Sequence, residues 1–265
     1  MNAVAQSESQ QILLRADAGG VATLTLNRPH QFNALSEEML AELQAALDAI
    51  AVDTMVRAVV IAGAGRAFCA GHDLKQMRAN HSQGYMQQLF KQCGRVMTTV
   101  TQMPQPVIAR IHGIATAAGC QLVAACDLAV AADVARFAVS GINVGLFCST
   151  PAVALSRNIG RKQAMEMLLT GDFIDAAEAQ RRGLVNRVVP LELLDAEVAR
   201  LAGAICAKSA VAVAMGKQLF YRQLEMGLEG AYQLAGETMA CNMMSADAAE
   251  GIDAFMEKRQ PAWRR

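Results

Sequence analysis

Residues 106–131 constrain the fold of this 265-residue chain more than any other segment, because they alternate between strand-like and helix-like composition. Residues 106–111 (PVIARI) form an apolar run typical of a buried strand. Residues 116–125 are small and have helical character, and residues 127–131 are again typical of a strand. A strand, a helix and a second strand in this order predict an α/β domain.

An earlier part of the chain repeats this order. Residues 21–27 alternate in a strand-like way, and residues 57–62 form a second short apolar run. Between them Ser36 can cap a helix whose first turn carries Glu37 and Glu38. One face of that helix is apolar and consists of Met39, Leu40, Leu43, Leu47 and Ile50.

The last third of the chain is mainly helical in pattern. Asp175 opens a helix with Glu178 at the capping-box position, Gly183 closes it, and residues 185–189 form a late strand. The remainder, to about Lys258, is rich in Ala, Leu, Met and Gln at helical spacing.

This pattern predicts two regions. Residues 1–200 form an α/β core, and residues 201–265 form a helical region whose Ala- and Met-rich helices pack in the core or at a subunit interface.

The charge balance and the cysteines narrow the function. The chain has 24 basic and 24 acidic residues, so it lacks the long-range field that would hold nucleic acid or an anionic membrane. We therefore expect a small-molecule ligand. Seven cysteines without a CxxC pair predict neither a disulfide framework nor a metal site. The start, MNAVAQSESQQ, lacks the features of a targeting leader, so the expected location is the cytoplasm.

Two glycine-containing turns follow predicted strands. Residues 63–65 begin like a dinucleotide-binding loop, but Phe68 occupies the third glycine position, so that interpretation fails. Residues 69–74 (CAGHDL) and 112–119 (HGIATAAG) can instead expose backbone N–H groups toward an anion or a polarised carbonyl oxygen. A plain tight turn is the alternative for the first of these. Two such turns in one domain could converge on one oxygen atom.

These residues resemble the enoyl-CoA hydratase/isomerase, or crotonase, superfamily, and the resemblance covers nearly the whole chain. The segments that carry it are residues 26–29 (LNRP), 33–35 (NAL), 68–74, 106–127, 165–171, 175–179 (DAAEA), 183–185 (GLV) and 255–259 (FMEKR). Residues 115–124 and 143–151 are especially similar to the subgroup called enoyl-CoA hydratase domain-containing protein 3.

The resemblance implies a fold, an assembly and a ligand. The fold is the ClpP/crotonase-like α/β fold, a spiral of ββα repeats with a C-terminal helical trimerisation region, assembled as a homotrimer or a dimer of trimers. The ligand is an acyl-CoA thioester, with coenzyme A as part of the substrate and no separate cofactor.

The resemblance also implies site residues. In the family two backbone N–H groups hold the thioester oxygen, and the matching positions are His72 and Ala118. Arg28, Ala70 and the backbone of His72 are the positions expected to contact CoA. Lys258 is expected to reach the CoA of a neighbouring subunit, because a cation suits phosphate.

Two departures from the family pattern bear on the chemistry. A typical hydratase uses two carboxylates, and the matching positions are Gln121 and Gly141, neither of which can exchange a proton. Each such group typically contributes about 100- to 10,000-fold in rate, so a fast ordinary hydratase is not expected. An enzyme that stabilises a thioester enolate is the leading interpretation, and its proton-transfer group is unidentified.

Other groups could replace the missing ones. The carboxylates nearby in sequence are Asp73, Asp127 and Asp133, each with a structural role as the alternative. Cys120, Cys148 and Ser149 could attack a thioester in principle, with packing of small buried residues as the better account.

Three further hypotheses about the function remain open. Gly141 could leave space for a bound bicarbonate lined by Ser140, Asn143 or Gln121, as in some naphthoate synthases of the superfamily. The chain could instead bind acyl-CoA without catalysis. In a third hypothesis the helical region is a protein-interaction module and the core is a scaffold.

Overall fold

The computed structural model describes residues 11–263, which form two sheets and a set of surrounding helices. The strands are β1 (Leu13–Ala18), β2 (Val21–Leu26), β3 (Ala58–Gly63), β4 (Ala67–Cys69), β5 (Val107–Ile111), β6 (Ile114–Thr116), β7 (Leu128–Ala132), β8 (Arg136–Ala138), β9 (Ile174–Asp175) and β10 (Arg187–Val189). The α-helices are α1 (Glu37–Ala51), α2 (Leu74–Ala79), α3 (Gln83–Gln102), α4 (Ala118–Ala125), α5 (Ser149–Leu155), α6 (Arg161–Thr170), α7 (Ala176–Arg182), α8 (Leu194–Cys206), α9 (Ala210–Gln223), α10 (Leu228–Met243) and α11 (Ala246–Met256).

The larger sheet has the strand order β1-β2-β3-β5-β7-β10, and the smaller has the order β4-β6-β8-β9. Strands β2, β3, β5, β7 and β10 are parallel, and β1 joins β2 as an antiparallel hairpin. In the smaller sheet β4, β6 and β8 are parallel. Parallel neighbours end at the same edge, so the turns that follow β4 and β6 lie side by side.

Three strand pairs repeat one arrangement along the chain. The first strand of each pair (β3, β5 and β7) lies in the larger sheet, and the second (β4, β6 and β8) lies in the smaller one. A helix follows each pair in sequence, namely α2, α4 and α5. The predicted α/β class and ββα repeats are therefore confirmed.

The predicted helix starts are confirmed at two caps. Ser36 Oγ accepts from the Met39 N–H at 3.3 Å, and Asp175 Oδ1 accepts from the Glu178 N–H at 2.8 Å. These bonds satisfy N–H groups that have no partner inside the helix. One boundary differs from the prediction, because Thr116 ends β6 and the helix begins at Ala118.

Burial on both faces of the larger sheet holds the fold together. The main core lies under α1 and α3, where the apolar stripe of α1 is fully buried. Each fully buried Leu, Ile or Phe side chain contributes roughly 1.5–3 kcal/mol. A second cluster lies under α8, where Leu194, Val198 and Ala202 pack against the strands. Helix α8 extends across residue 200, the predicted boundary between core and helical region.

Between residues 11 and 263 no single helix is both long and apolar enough to cross a bilayer. One pair of segments, Leu191–Cys206 with Ala210–Gln223, meets the length and composition criteria together but is bent by 103°.

Candidate active site

The turn after β4 and the turn after β6 are in direct contact. Gly71 has a φ of +92°, and a Cβ at this position would lie 3.1 Å from the backbone nitrogen of Ala118. A Cβ at Gly119 would lie 2.1 Å from the carbonyl oxygen of Cys69, so only glycine fits there. The sequence therefore brings the backbone beside His72 close to the start of α4.

Ala117 holds the second turn in a conformation that is rare for a residue with a side chain. Its φ is +51° and its ψ is −121°, and its N–H donates to the Ala138 carbonyl oxygen at 3.0 Å. Such a conformation costs on the order of 1–3 kcal/mol and persists only where the surroundings enforce it. The N–H groups of the first helical turn, beginning with that of Ala118, have no acceptor within the helix.

His72 is oriented by an isolated parallel bridge to Leu35. The Leu35 N–H donates to the Gly71 carbonyl at 2.7 Å, and the Asp73 N–H donates to the Leu35 carbonyl at 3.4 Å. Because a parallel bridge uses the groups on either side of its central residue, the His72 N–H points away from Leu35. The bridge therefore does not use the His72 N–H group.

The His72 imidazole packs between Leu35 and Phe90. Its Nδ1 lies 3.4 Å from the Leu35 carbonyl oxygen, and its ring meets that of Phe90 edge-on at 5.5 Å. Burial lowers the pKa of His72 below its ordinary value of 6.5. Its Nε2 is buried and has no hydrogen-bond partner among the described residues.

Gln121 lies one turn further along α4. The residue is only 4% exposed, and its Oε1 has no hydrogen-bond partner among the described residues. Gln121 lines a cavity of about 820 Å³ between α3, α4, α5 and α9. An unsatisfied buried amide oxygen costs roughly 1–3 kcal/mol, so a donor from a ligand or water would stabilise it.

Gly141 does not leave an open space in the direction of a side chain. A Cβ there would lie 2.7 Å from both the Cys148 Sγ and the Leu146 carbonyl oxygen. The Gly141 N–H donates to the same sulfur at 3.3 Å. Ser140 is engaged with Thr116, their hydroxyl oxygens being 2.8 Å apart. The loop is therefore closed around Gly141 in the direction that a side chain would take.

Arg28 and Asp73 form an ion pair at 3.1 Å. Arg28 also donates to the Ala34 carbonyl at 2.9 Å, so its guanidinium joins two loops. Asp73 accepts from the N–H groups of Lys75 and Gln76 and thereby caps α2. The cap and the guanidinium keep its pKa below the ordinary value, although burial acts in the opposite direction. These contacts give Asp73 a structural role and do not favour the predicted contact of Arg28 with CoA.

Asp127 anchors α9 to the core. It accepts from Lys217 Nζ at 2.7 Å, from the Val107 N–H at 2.6 Å and from the Tyr221 hydroxyl at 2.9 Å. Lys217 also donates to the carbonyl oxygens of Val100 and Gln105. The sequence analysis missed Lys217, because its partners come from three separate segments. With these partners Asp127 has a structural role.

The remaining candidate groups lie apart or are engaged. Asp133 is exposed on the turn after β7, and Lys258 is exposed after α11. The Ala70 N–H donates to the Phe32 carbonyl at 3.0 Å. The structure of this single chain does not bring Lys258 to the two turns, so its predicted contact with a neighbouring subunit stays a prediction.

The candidate nucleophiles lack activation. Burial raises the pKa of Cys120 to about 12 and also raises the pKa of Cys148, so both are thiols at neutral pH. The Ser149 hydroxyl lies 3.3 Å from the Phe147 carbonyl oxygen. No group of three His, Cys, Asp or Glu side chains within residues 11–263 could hold a metal ion.

Known proteins resemble this chain over almost its full length. The enoyl-CoA hydratase domain-containing protein 3, mitochondrial, of Xenopus laevis is 47% identical over 92% of this chain and 83% of its own. The crystal structure of an enoyl-CoA hydratase from Mycobacterium smegmatis is 62% identical, with a TM-score of 0.95 over 96% of this chain and 99% of its own. The crystal structure of human enoyl-CoA hydratase domain-containing protein 3 is 43% identical, with a TM-score of 0.93 over 96% and 100%. The predicted crotonase fold and the resemblance to this subgroup are confirmed.

The expectation of a cytoplasmic location is wrong. The relatives from Xenopus laevis, Rattus norvegicus and Homo sapiens all have the word mitochondrial in their names. The expectation used only the composition of the first residues, and residues 1–10 lie outside the described part of the chain.

The family itself follows from a match to nearly the whole chain. The family model described as enoyl-CoA hydratase/isomerase matches residues 16–265. Proteins of this family act on acyl-CoA thioesters. The chain belongs to the enoyl-CoA hydratase/isomerase family.

Proposed function

We propose that this protein binds an acyl-CoA thioester and stabilises its enolate with the backbone N–H groups of His72 and Ala118. The observation that carries the proposal is the contact between the two turns, where Gly71 and the nitrogen of Ala118 approach each other closely. The His72 N–H is directed away from its strand partner, and the Ala118 N–H begins a helix. Each such donor typically contributes about 100- to 1000-fold in rate.

The proposed reaction begins at the thioester and does not need the usual carboxylate pair. Gln121 and Gly141 occupy the two positions, and Asp73 and Asp127 are engaged in structural contacts. Two donors that hold the carbonyl oxygen still favour enolate formation at the α-carbon. Addition of water to a double bond would be slow, because no carboxylate is available at either position to move protons.

A protein that binds acyl-CoA without catalysis is the second candidate. The lack of space for a side chain at Gly141 favours this non-catalytic candidate, because a carboxylate residue there would have to move the Leu146 carbonyl. The same lack of space argues against bicarbonate beside Gly141. The Ser140 hydroxyl is engaged with Thr116 and is not directed freely toward an anion, whereas Asn143 is exposed.

The proposed assembly is a trimer, or a dimer of trimers, formed through the C-terminal helices. Helix α10 has no buried residue within the described chain. Its exposed side chains include Leu228 at 76%, Tyr232 at 72% and Met239 at 62%. A row of large exposed apolar residues is typical of a surface that a second copy covers.

Binding is tested by thermal unfolding with acyl-CoA thioesters of increasing chain length. A ligand that binds only the folded state raises the melting temperature, so at least one thioester should raise it more than free CoA does. If no thioester has an effect, the proposed function fails, and a scaffolding role is favoured.

Catalysis is tested by hydration of crotonyl-CoA. We expect slow hydration by the wild type and faster hydration by Gln121→Glu, which places a carboxylate one helical turn after Ala118. Gln121→Met is the matched control, because it has similar size and no proton to exchange. Rapid hydration by the wild type would contradict the inference from the missing carboxylates. Absence of both hydration and α-proton exchange, with binding retained, would favour the non-catalytic candidate.

A further inference from the structure

The Nε2 of His72 is an unusual group at the proposed site. Buried polar atoms nearly always have hydrogen-bond partners, yet this nitrogen has none among the described residues. Among the described residues, His112 also has a buried ring nitrogen without a hydrogen-bond partner, but it precedes β6 and lies at the end of that strand away from Ala118. His72 is therefore the one of these two histidines that belongs to the proposed site.

The contact with Leu35 favours one tautomer of the ring. A carbonyl oxygen can only accept, so a hydrogen bond across the 3.4 Å between Nδ1 and the Leu35 oxygen places the proton on Nδ1. Nε2 then has a free lone pair and can accept a proton. The edge-on contact with Phe90 restrains the ring in this orientation.

Covalent geometry places this lone pair near the reacting atoms. Within one histidine Nε2 lies on the order of 5 Å from the backbone nitrogen, a distance set by standard bond lengths. A thioester oxygen held by that nitrogen would lie about 2.7–3.1 Å from it. The α-carbon is two bonds from the oxygen, so it lies within a distance that a ring nitrogen of the same residue can span.

We propose that His72 is the catalytic base of this protein and that its substrates are acyl-CoA thioesters with a removable α-proton. The proton leaves the α-carbon and binds Nε2, which forms an imidazolium. The electron pair of the C–H bond forms the enolate, whose negative oxygen accepts from the His72 and Ala118 N–H groups. Return of a proton from Nε2 to carbon completes the cycle without an oxidant, a reductant or a metal.

The surroundings of the ring suit this role. Burial lowers the pKa of the ring and outweighs the opposite effect of the Leu35 carbonyl, which favours the neutral form near pH 7. The nearest carboxylate in sequence, Asp73, is held by Arg28 and by the start of α2. The ability of Nε2 to accept a proton therefore comes from the tautomer of the ring and does not need a carboxylate partner.

The test follows the exchange of α-protons of butyryl-CoA in D₂O by NMR. We expect the wild type to exchange them and His72→Gln to be at least about 100-fold slower, because glutamine keeps the backbone N–H and lacks a base. His112→Gln is the matched control, because His112 also has a buried ring nitrogen without a partner but lies before β6, away from Ala118, and it should keep exchange within a few-fold of the wild type. The wild-type rate should also fall at low pH as the imidazole is protonated, and the His72→Gln rate should lack this limb.

Binding is measured beside exchange, because this proposal rests on the proposed function. If butyryl-CoA raises the melting temperature of His72→Gln as it does that of the wild type, the variant is folded and binds. Exchange at the wild-type rate in that variant would overturn the role of His72. Wild-type exchange without an acidic limb, or binding without any exchange, would also overturn it and leave acyl-CoA binding intact. If His72→Gln does not fold, the wild-type pH profile alone decides.

Discussion

Single residues decide whether the two turns can meet. A side chain at Gly119 would collide with the Cys69 carbonyl. The glycine was visible in the sequence as part of a flexible turn, but the carbonyl that it faces belongs to a strand fifty residues earlier. Sequence reasoning therefore identified the residue and could not give the reason for it.

We predict that Gly119→Ala destabilises the protein by about 2–4 kcal/mol, because its Cβ would lie 2.1 Å from a backbone oxygen that has little freedom to move. The free energy of unfolding is measured in urea. Gly203→Ala is the control, since no atom lies within 4 Å of its new Cβ and the position is inside α8. It should gain roughly 0.5–1 kcal/mol. Equal effects of the two substitutions would contradict this account of the turn.

A second prediction at this scale concerns pH. Burial lowers the pKa of His72 and His112 below the ordinary value of 6.5, so the unfolded chain binds protons more readily than the folded one near that pH. Stability should be complete above about pH 7 and should fall as pH decreases through 6.5. The melting temperature is compared at pH 7.5 and 5.5. The decrease should be smaller in His72→Gln, and an unchanged decrease would remove His72 from the explanation.

At the scale of elements, the signals in the sequence differ in strength. Strands β2, β3, β5 and β7 and the caps at Ser36 and Asp175 were predicted, because alternation, apolar runs and capping are local properties. Strand β1 was not predicted, although it is as long as β2. Strands β4, β6 and β8 were missed, because three residues carry no readable period and each strand exists only through pairing with distant segments. The packing of Cys148 against Gly141 was not predicted for the same reason, because no local pattern in the sequence indicates it.

The attachment of α9 to the core depends on one buried charge pair. We predict that Lys217→Met destabilises the protein by about 3–5 kcal/mol, because it leaves the Asp127 carboxylate without its cation and two carbonyls without a donor. The measurement is urea unfolding. Lys208→Met, at an exposed position, is the control and should change the free energy of unfolding by less than about 0.5 kcal/mol. A small effect at Lys217 would mean that α9 is held mainly by apolar contacts.

At the scale of the whole molecule, the fold class follows from the pattern of strands and helices, and the assembly depends on surfaces that the single chain leaves exposed. The helical region was predicted from its Ala- and Met-rich composition. Which of its faces is uncovered became clear only from the exposure of α10. Composition alone cannot separate a helix buried in its own core from one that is covered by another copy.

The proposed trimer gives the last prediction. Tyr232→Lys and Met239→Lys together should shift the sedimenting species toward the monomer, because two charges would be buried in the contact. Val52→Lys, at a position 82% exposed outside the helical region, should leave the mass unchanged. A wild-type protein that sediments as a monomer would refute the assembly, and it would leave the fold and the proposed site untouched.

The pairing of β4 with β6 has a wider consequence. Main-chain hydrogen bonds between these two short strands fix the spacing of the turns, so the proposed binding of a carbonyl oxygen would be inherited with the scaffold. The side chains around it are then free to diverge. A protein built on this plan could then change its reaction, or lose catalysis, and still bind the same kind of carbonyl group.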